Sequence, residues 1–278
     1  MIHEINPEEF HVKYENLKPS SEDNILLFEN DLVCFRQEGK TAILPRLSEF
    51  ADSEDKIFIY LFSISDQRFF MAEPATKNPM KPPPGYEMNE YGIFRDVGPR
   101  HIAFAIVTAK HLHQWYSDRM FCGRCGAKTQ LSQKERATIC TKCSLTEYPK
   151  IGPCVIVGVT NGEKILLTRY KHHAYKRYAL IAGFVEIGES LEDCVRREVF
   201  EETGVQIKDI KYYRSQPWGF TSTLLMGFFC QLDGDPSISI DEDELSEAAW
   251  LDRKDVPPGI NDISLTTEMM DLFRHGQI

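Results

Sequence analysis

The reading of this chain turns on Gly183-Phe-Val-Glu-Ile-Gly-Glu189-Ser-Leu-Glu-Asp-Cys-Val-Arg-Arg197-Glu198-Val-Phe-Glu201-Glu202-Thr-Gly204-Val205. The spacing predicts a helix over 190–202, with Thr203-Gly204 as its stop. At ~100° per residue, Leu191, Cys194, Val195 and Val199 form an apolar stripe. Glu198, Glu201 and Glu202 fall within an arc of roughly 100° that overlaps the same stripe. A solvated acidic face would lie opposite the apolar one. Here the burying face itself turns from apolar to carboxylate near the helix end. Three carboxylates at i, i+3 and i+4 repel one another unless cations neutralise them. Mg²⁺ or Mn²⁺, hard ions that prefer oxygen ligands, are the natural partners. Arg197 lies one turn before Glu201 and can hold its side chain, and Glu189 is placed to pair with Arg197. An isolated E-x2-E-E reads first as the end of an ordinary acidic helix. The longer pattern separates the two readings.

Over its whole length the stretch matches the Nudix box, G-x5-E-x7-R-E-U-x-E-E-x-G-U, at every defined position. It therefore resembles the Nudix hydrolases. The resemblance implies an α+β fold, a mixed sheet between helices, and hydrolysis of a nucleoside diphosphate linked to a further group. It also implies that Glu198, Glu201 and Glu202 bind catalytic metal, with Glu189 and Arg197 supporting the loop and helix. Because the oxygens of a pyrophosphate are anionic, it resists nucleophiles; metal held by the glutamates would neutralise that charge and activate a water. One carboxylate must serve as general base. Glu201 is the first candidate, and the residues alone do not separate it from Glu198 or from an acid of the run Asp241–Glu247.

Towards the amino terminus, Cys122-Gly-Arg-Cys125 and Cys140-Thr-Lys-Cys143 form two C-x2-C pairs with fourteen residues between them. Four thiolates suit tetrahedral Zn²⁺ and leave no open position, so the site is structural, a zinc ribbon too small to fold without its metal. Arg124, Lys128, Lys134, Arg136 and Lys142 make this insert locally basic.

Towards the carboxyl terminus, Ser215-Gln-Pro-Trp-Gly-Phe-Thr-Ser-Thr223 resembles the S-Q-P-W-P-F-P-x-S array of NADH pyrophosphatases. That Nudix subfamily also carries a four-cysteine ribbon, an N-terminal Nudix-like half-domain and a Tyr-Pro-Arg segment, whose place Tyr148-Pro149-Lys150 takes here. The resemblance implies a substrate pocket that draws on Tyr148, Phe184, Gln216, Trp218, Phe220 and Ser222. It assigns Glu244 to the metal site and implies a homodimer. Physically, Tyr148, Phe184, Trp218 and Phe220 offer faces on which a nicotinamide or adenine ring could stack. Gly219, Thr221, Thr223 and Lys150 depart from the array and from the Tyr-Pro-Arg segment. Glycine in place of proline is expected to loosen the loop.

The rest of the chain frames these motifs. Its 278 residues exceed one ordinary domain. The expected division is a Nudix-like domain over 1–117, a ribbon over 118–147 and a catalytic domain over 148–278. Short apolar runs at Ile57–Ile64 and His101–Thr108 suggest β-rich segments, with a helix over Ala109–Met120. Asn78–Gly85, with its prolines, is a break. Strands are predicted at 154–160, 164–168, 178–185, 208–214, 224–232 and 248–251, with a hairpin turn at Asn161-Gly162 and a last helix over 266–274. The net charge of −10 disfavours a general nucleic-acid or membrane-surface binder. It is concentrated: residues 186–202 and 241–247 hold twelve of the 42 acids and two of the 32 bases, and the remainder is neutral. Eight cysteines with no secretory signal point to a reducing, cytoplasmic setting.

The expected activity is hydrolysis of NADH or NAD⁺ to a mononucleotide and AMP, with NAD-capped RNA as a further substrate. Two alternatives stand beside it: a hydrolase of ADP-ribose or another nucleoside diphosphate derivative, and a zinc-ribbon binding protein with a silent Nudix domain.

Overall fold

The computed structural model describes residues 1–74, 79–171 and 177–278. They form two compact units. One comprises Ile2–Lys150 with Gly219–Ser222; the other comprises Met1, Ile151–Trp218 and Thr223–Ile278.

The N-terminal unit contains strands β1 (Phe10–His11), β2 (Asn24–Leu26), β3 (Phe28–Glu29), β4 (Leu32–Glu38), β5 (Thr41–Ile43), β6 (Phe58–Ile64), β7 (Gln67–Ala72) and β8 (Glu87–Glu90). They make two four-stranded sheets, β1-β6-β7-β2 and β3-β4-β5 with β8 beside β4. Ile25, Phe35, Phe62, Phe69 and Phe70 are fully buried among them. The break read at 78–85 begins outside the described residues, and from residue 79 it forms neither helix nor strand. His101–Thr108, expected as part of a β-rich region, lies instead in helix α1 (Arg100–Asp118). Residues 102–107 of that helix are all buried, so its first turns carry no amphipathic alternation. A short run that is apolar on every side reads equally as a buried strand.

The ribbon belongs to this unit. Strands β9 (Thr129–Leu131), β10 (Thr138–Cys140) and β11 (Thr146–Glu147) form an antiparallel sheet in the order β11-β10-β9. Tyr14 donates to the Ser132 carbonyl at 2.7 Å, and Arg136 donates to the carbonyl of Leu61. The Arg136 charge that contributed to the basic look of the insert is thus spent inside the unit.

The catalytic unit is one mixed sheet. Its strands are β12 (Gly152–Asn161), β13 (Lys164–Tyr170), β14 (Ile181–Phe184), β15 (Ile207–Trp218), β16 (Thr223–Leu232) and β17 (Leu245–Asp252), ordered β15-β16-β12-β13-β17 with β14 on β12. Among the described residues of this sheet, only the long β12–β16 pair is parallel. The β12–β13 hairpin pairs Asn161 with Lys164, so the turn centres on Gly162-Glu163, one residue later than predicted. Gly162, at φ +58°, supplies the left-handed first position.

Helix α2 (Leu191–Thr203) buries Cys194, Val195 and Val199 against Val155, Val157, Met226 and Phe228. Helix α3 (Leu265–Arg274) meets the other face. A side chain at Gly227, which points opposite to Met226 and Phe228, would run into Met269 and Leu265. The sheet therefore lies between helices, the α+β arrangement implied by the box.

Candidate active site and zinc centre

Local sequence sets the carboxylate helix. Ser190 caps it by accepting from the Asp193 amide at 3.2 Å, and Glu192 and Asp193 occupy the first turn, where the helix dipole favours anions. Gly204 ends it in the left-handed conformation at φ +70°, its amide donating to the Phe200 carbonyl.

Arg197 organises the site. Its Nε and Nη2 grip Glu189 at 2.8 and 2.9 Å, and Nη1 donates to Glu198 at 2.7 Å and to Glu201 at 3.0 Å. Nη2 also donates to the Phe184 carbonyl at 3.0 Å. These five oxygen contacts match the five N–H donors of a guanidinium, a role lysine could not fill. The Arg197 guanidinium and the Glu186 amide hold the Glu189 carboxyl down to about 2, and the same carboxylates push the Arg197 pKa upward.

The three helix glutamates sit in different environments. Glu201 is 57% exposed, Glu198 is half-buried and Glu202 is 2% exposed. The Glu202 carboxyl receives the Tyr170 hydroxyl at 3.2 Å, and that hydroxyl in turn accepts the Ala182 amide at 3.0 Å. Burial pushes Glu202 up to about 8, helped by the charges of Glu198, Glu244 and Asp241, although the Tyr170 hydrogen bond opposes the shift. Burial likewise raises Glu198. Burial disfavours the charged form of both Glu198 and Glu202, a strain that a nearby cation would relieve, although among the described residues the group of potential ligand atoms lying within 4.8 Å of one another is that of the four ribbon cysteines.

That raised value has a consequence with a definite sign. Between pH 4.5, the ordinary carboxyl value, and about 8, folded metal-free protein keeps a proton that the unfolded chain has released. Stability therefore falls as pH rises across this window. Thermal melts without added Mg²⁺ are expected to show a lower Tm at pH 8.5 than at pH 6. Added Mg²⁺ or Mn²⁺ should restore more stability at the higher pH. An equal metal effect at both values would count against Glu202 as a ligand.

Gly183 and Tyr170 were not singled out from sequence for what they do here. A Cβ at Gly183 would overlap the carboxyl carbon and both oxygens of Glu198, so this strand glycine is the floor on which that carboxylate rests. Its place in the box was legible, but its reason is a contact across fifteen residues. Gly183→Ala should displace Glu198 and lower kcat by about 10-fold or more, a size typical of misplaced catalytic groups. Steady-state kinetics beside a thermal melt checks this, and unchanged kcat would contradict it. No periodicity marks Tyr170, because it reaches Glu202 from the end of β13.

The acidic run is divided. Glu247 pairs with Arg169 at 2.9 Å and accepts from the Tyr178 hydroxyl. Glu244 is exposed, near enough for its charge to act on Glu198 and Glu202. The expected substrate residues divide between the units. Phe184, 57% exposed, Gln216 and Trp218 lie in the catalytic unit. Tyr148, 59% exposed, Phe220 and Ser222 lie in the N-terminal unit. Trp218 is buried. Gln216 is fully buried, donating to the Ile263 carbonyl at 2.7 Å and accepting the Leu265 amide at 2.6 Å. Its carboxamide ties β15 to the start of α3, an internal role that the sequence did not announce.

In the ribbon, the sulfurs of Cys122, Cys125, Cys140 and Cys143 all lie within 4.8 Å of one another. The Cys122–Cys143 and Cys125–Cys140 separations are 3.6 and 3.5 Å. Tetrahedral zinc with bonds of about 2.3 Å needs edges of about 3.8 Å, so the cluster fits the ion. Both knuckles have one backbone form. The residue four after each first cysteine, Gly126 at φ +70° and Ser144 at φ +58°, is left-handed and donates back to that cysteine's carbonyl. The amides of Cys143 and Lys142 donate to the Cys140 sulfur and lower its thiol pKa, which favours the thiolate.

A helix carrying this carboxylate set, laid on a mixed sheet, defines a Nudix domain, and residues 150–269 match the family described as NUDIX domain. Residues 120–148 match the NADH pyrophosphatase zinc ribbon domain. The chain thus contains a segment that matches the Nudix domain, preceded by one that matches the NADH pyrophosphatase zinc ribbon. It is 42% identical over 149 residues to the NAD-capped RNA hydrolase NudC of Photobacterium profundum, covering 54% of this chain and 56% of that protein. With the NAD-capped RNA hydrolase NudC of Vibrio parahaemolyticus it shares 44% identity over 138 residues, 50% of this chain and 53% of the other. The matched region thus spans about half the length of these curated relatives. A crystal structure of a NUDIX hydrolase from Nitrosomonas europaea aligns with a TM-score of 0.47 at 24% identity, covering 56% of this chain and 93% of that one. Among the described residues no helix is long and apolar enough to cross a membrane.

Proposed function

We propose that this chain is a metal-dependent hydrolase of the diphosphate in NADH and NAD⁺, releasing nicotinamide mononucleotide and AMP, and that it removes NAD caps from RNA. The observation that carries this reading is Arg197 joining Glu189 to Glu198 and Glu201 on the helix that also bears the buried Glu202, in a chain that also has the NADH pyrophosphatase ribbon. A silent Nudix domain would gain nothing from burying the Glu202 carboxyl, whose charged form is disfavoured there despite the Tyr170 hydrogen bond.

Glu198, Glu201, Glu202 and Glu244 would hold Mg²⁺ or Mn²⁺, which when bound neutralises diphosphate charge and makes water a better nucleophile at neutral pH. Arg197 fixes Glu198 and Glu201 through one guanidinium group and Glu189 fixes Arg197, so the carboxylates are placed before substrate arrives. Glu201 is the most exposed of the three and takes the general-base role in this proposal. Phe184 presents an open aromatic face for a planar ring. Tyr148 and Ser222 are retained as substrate residues from the motif resemblance, and a homodimer is the proposed assembly.

A substrate panel of NADH, NAD⁺, ADP-ribose, diadenosine polyphosphate and NAD-capped RNA, resolved by chromatography with Mg²⁺ or Mn²⁺, tests the reading. Release of AMP from NADH supports it, and turnover of ADP-ribose alone moves the protein to the nearer alternative. No turnover of any substrate would overturn the enzyme assignment.

A further inference from the structure

Within the catalytic unit, the chain that enters β14 changes neighbours. Ala179 is bridged to Thr168 of β13, and two residues later Ile181 pairs with Val157 of β12. From Ile181 to Phe184 the ladder runs along β12. The Ala182 amide, inside that stretch, donates to the Tyr170 hydroxyl at 3.0 Å. A side chain from the end of β13 thus meets the backbone of β14, a strand with which β13 shares no ladder.

The same oxygen serves α2. An amide N–H can only donate, so the Tyr170 oxygen accepts from Ala182 and its one proton is left for Glu202. The two carboxylate oxygens of Glu202 lie 3.2 and 3.4 Å away. Glu202 is buried, so this contact is shielded from water. Ala182 also immediately precedes Gly183, on which the Glu198 carboxyl rests. One hydroxyl therefore touches one helix glutamate directly and steadies the strand beneath another. The Arg197 contacts reach Glu198 and Glu201, and Glu202 is reached by Tyr170. The two donors differ in kind: a phenol carries no positive charge, so it orients a carboxylate without standing in for a cation, as a guanidinium does.

We infer that Tyr170 is a positioning residue for the divalent metal: its hydroxyl fixes Glu202 directly and Glu198 through Ala182 and Gly183, and so sets the affinity of the catalytic unit for Mg²⁺ or Mn²⁺. This inference rests on the proposed metal-dependent hydrolysis and deepens it by naming what orders its most buried carboxylate. Partners that hydrogen-bond to ligating carboxylates fix their orientation, and losing one typically costs about 10- to 100-fold in metal affinity or activity. Phenylalanine at 170 would keep the ring and remove only the oxygen, leaving the Ala182 amide and the Glu202 carboxyl without this partner.

The test is Mn²⁺ binding to the full-length zinc-loaded protein without substrate, read by electron paramagnetic resonance of the free ion. Tyr170→Phe is expected to bind Mn²⁺ about 10- to 100-fold more weakly than wild type and to speed amide exchange in peptides covering 181–184. Combining it with Glu202→Gln separates positioning from general loosening. If the hydroxyl acts through Glu202, the two losses in affinity are less than additive, and additive losses would overturn that route. Equal or tighter Mn²⁺ binding by Tyr170→Phe would overturn the positioning role, and unchanged exchange at 181–184 would remove the path to Glu198. If the phenylalanine variant misfolds, wild type alone decides the matter. By reciprocity Mn²⁺ should then slow exchange at 181–184 together with 191–203, and protection of the helix alone would count against Tyr170. Wild-type protein that binds no Mn²⁺ would instead refute the proposed metal-dependent reaction, an outcome distinct from normal wild-type binding with an unaffected variant.

Discussion

Glu201→Gln is expected to lower kcat by about 10²- to 10⁴-fold, the range for loss of a general base or of a carboxylate that neutralises developing charge. KM and thermal unfolding should change little. The argument rests on the contrast among the three helix glutamates. Glu201 is exposed and makes one hydrogen bond, to Arg197, which also holds Glu189 and Glu198. An isosteric amide there removes a charge without opening a cavity or stranding a buried group. Glu202→Gln differs, since it alters a buried carboxyl hydrogen-bonded to Tyr170, so it mixes catalysis with stability. Activity and melting temperature measured together separate the two. Glu201→Gln with near-normal kcat would remove Glu201 from the chemistry and leave Glu198 or Glu244 as the candidate base.

Cys122→Ser should release the zinc and unfold the ribbon. Structural zinc sites in isolated fingers are worth about 10–16 kcal/mol in apparent binding free energy, far more than a ribbon of three short strands can supply by packing. Within the whole chain part of that loss is absorbed by contacts outside the ribbon. Even a few kcal/mol lowers Tm on the order of 10 °C in a chain of this size. The loss should spread through the N-terminal unit, because Tyr14 and Arg136 bind the ribbon to its strands. Metal analysis should find one zinc per chain in the wild type and none in the variant. Cys34→Ser, at a buried thiol far in sequence from the knuckles, should keep its zinc. Retained zinc with an unchanged melt in Cys122→Ser would show that these four sulfurs are not the ligand set.

Both predictions concern residues that were readable from sequence, and for a common reason. The helix repeats every 3.6 residues and the knuckles close within four, so their chemistry is encoded among near neighbours. The observed helix, Leu191–Thr203, differs from the expected span by one residue at each end, and each strand predicted for the catalytic unit overlaps an observed one. The first turns of α1 were misplaced because a fully buried helix segment has no polar face to reveal its period.

By itself, the sequence determined the carboxylate helix, the four zinc ligands and the mixed sheet that carries the site. It also located the excess negative charge in two segments, 186–202 and 241–247. Tertiary structure alone decided how those acids differ: Glu202 buried beneath Tyr170, Glu198 seated on Gly183, and Glu201 left open. It also turned Gln216 into an internal tie and made Gly219 the seat of a turn held by Tyr91 and Arg95. The physical reason is separation along the chain. Contacts such as Tyr91 to Phe220 join residues with no shared period, so only the folded chain brings them within reach.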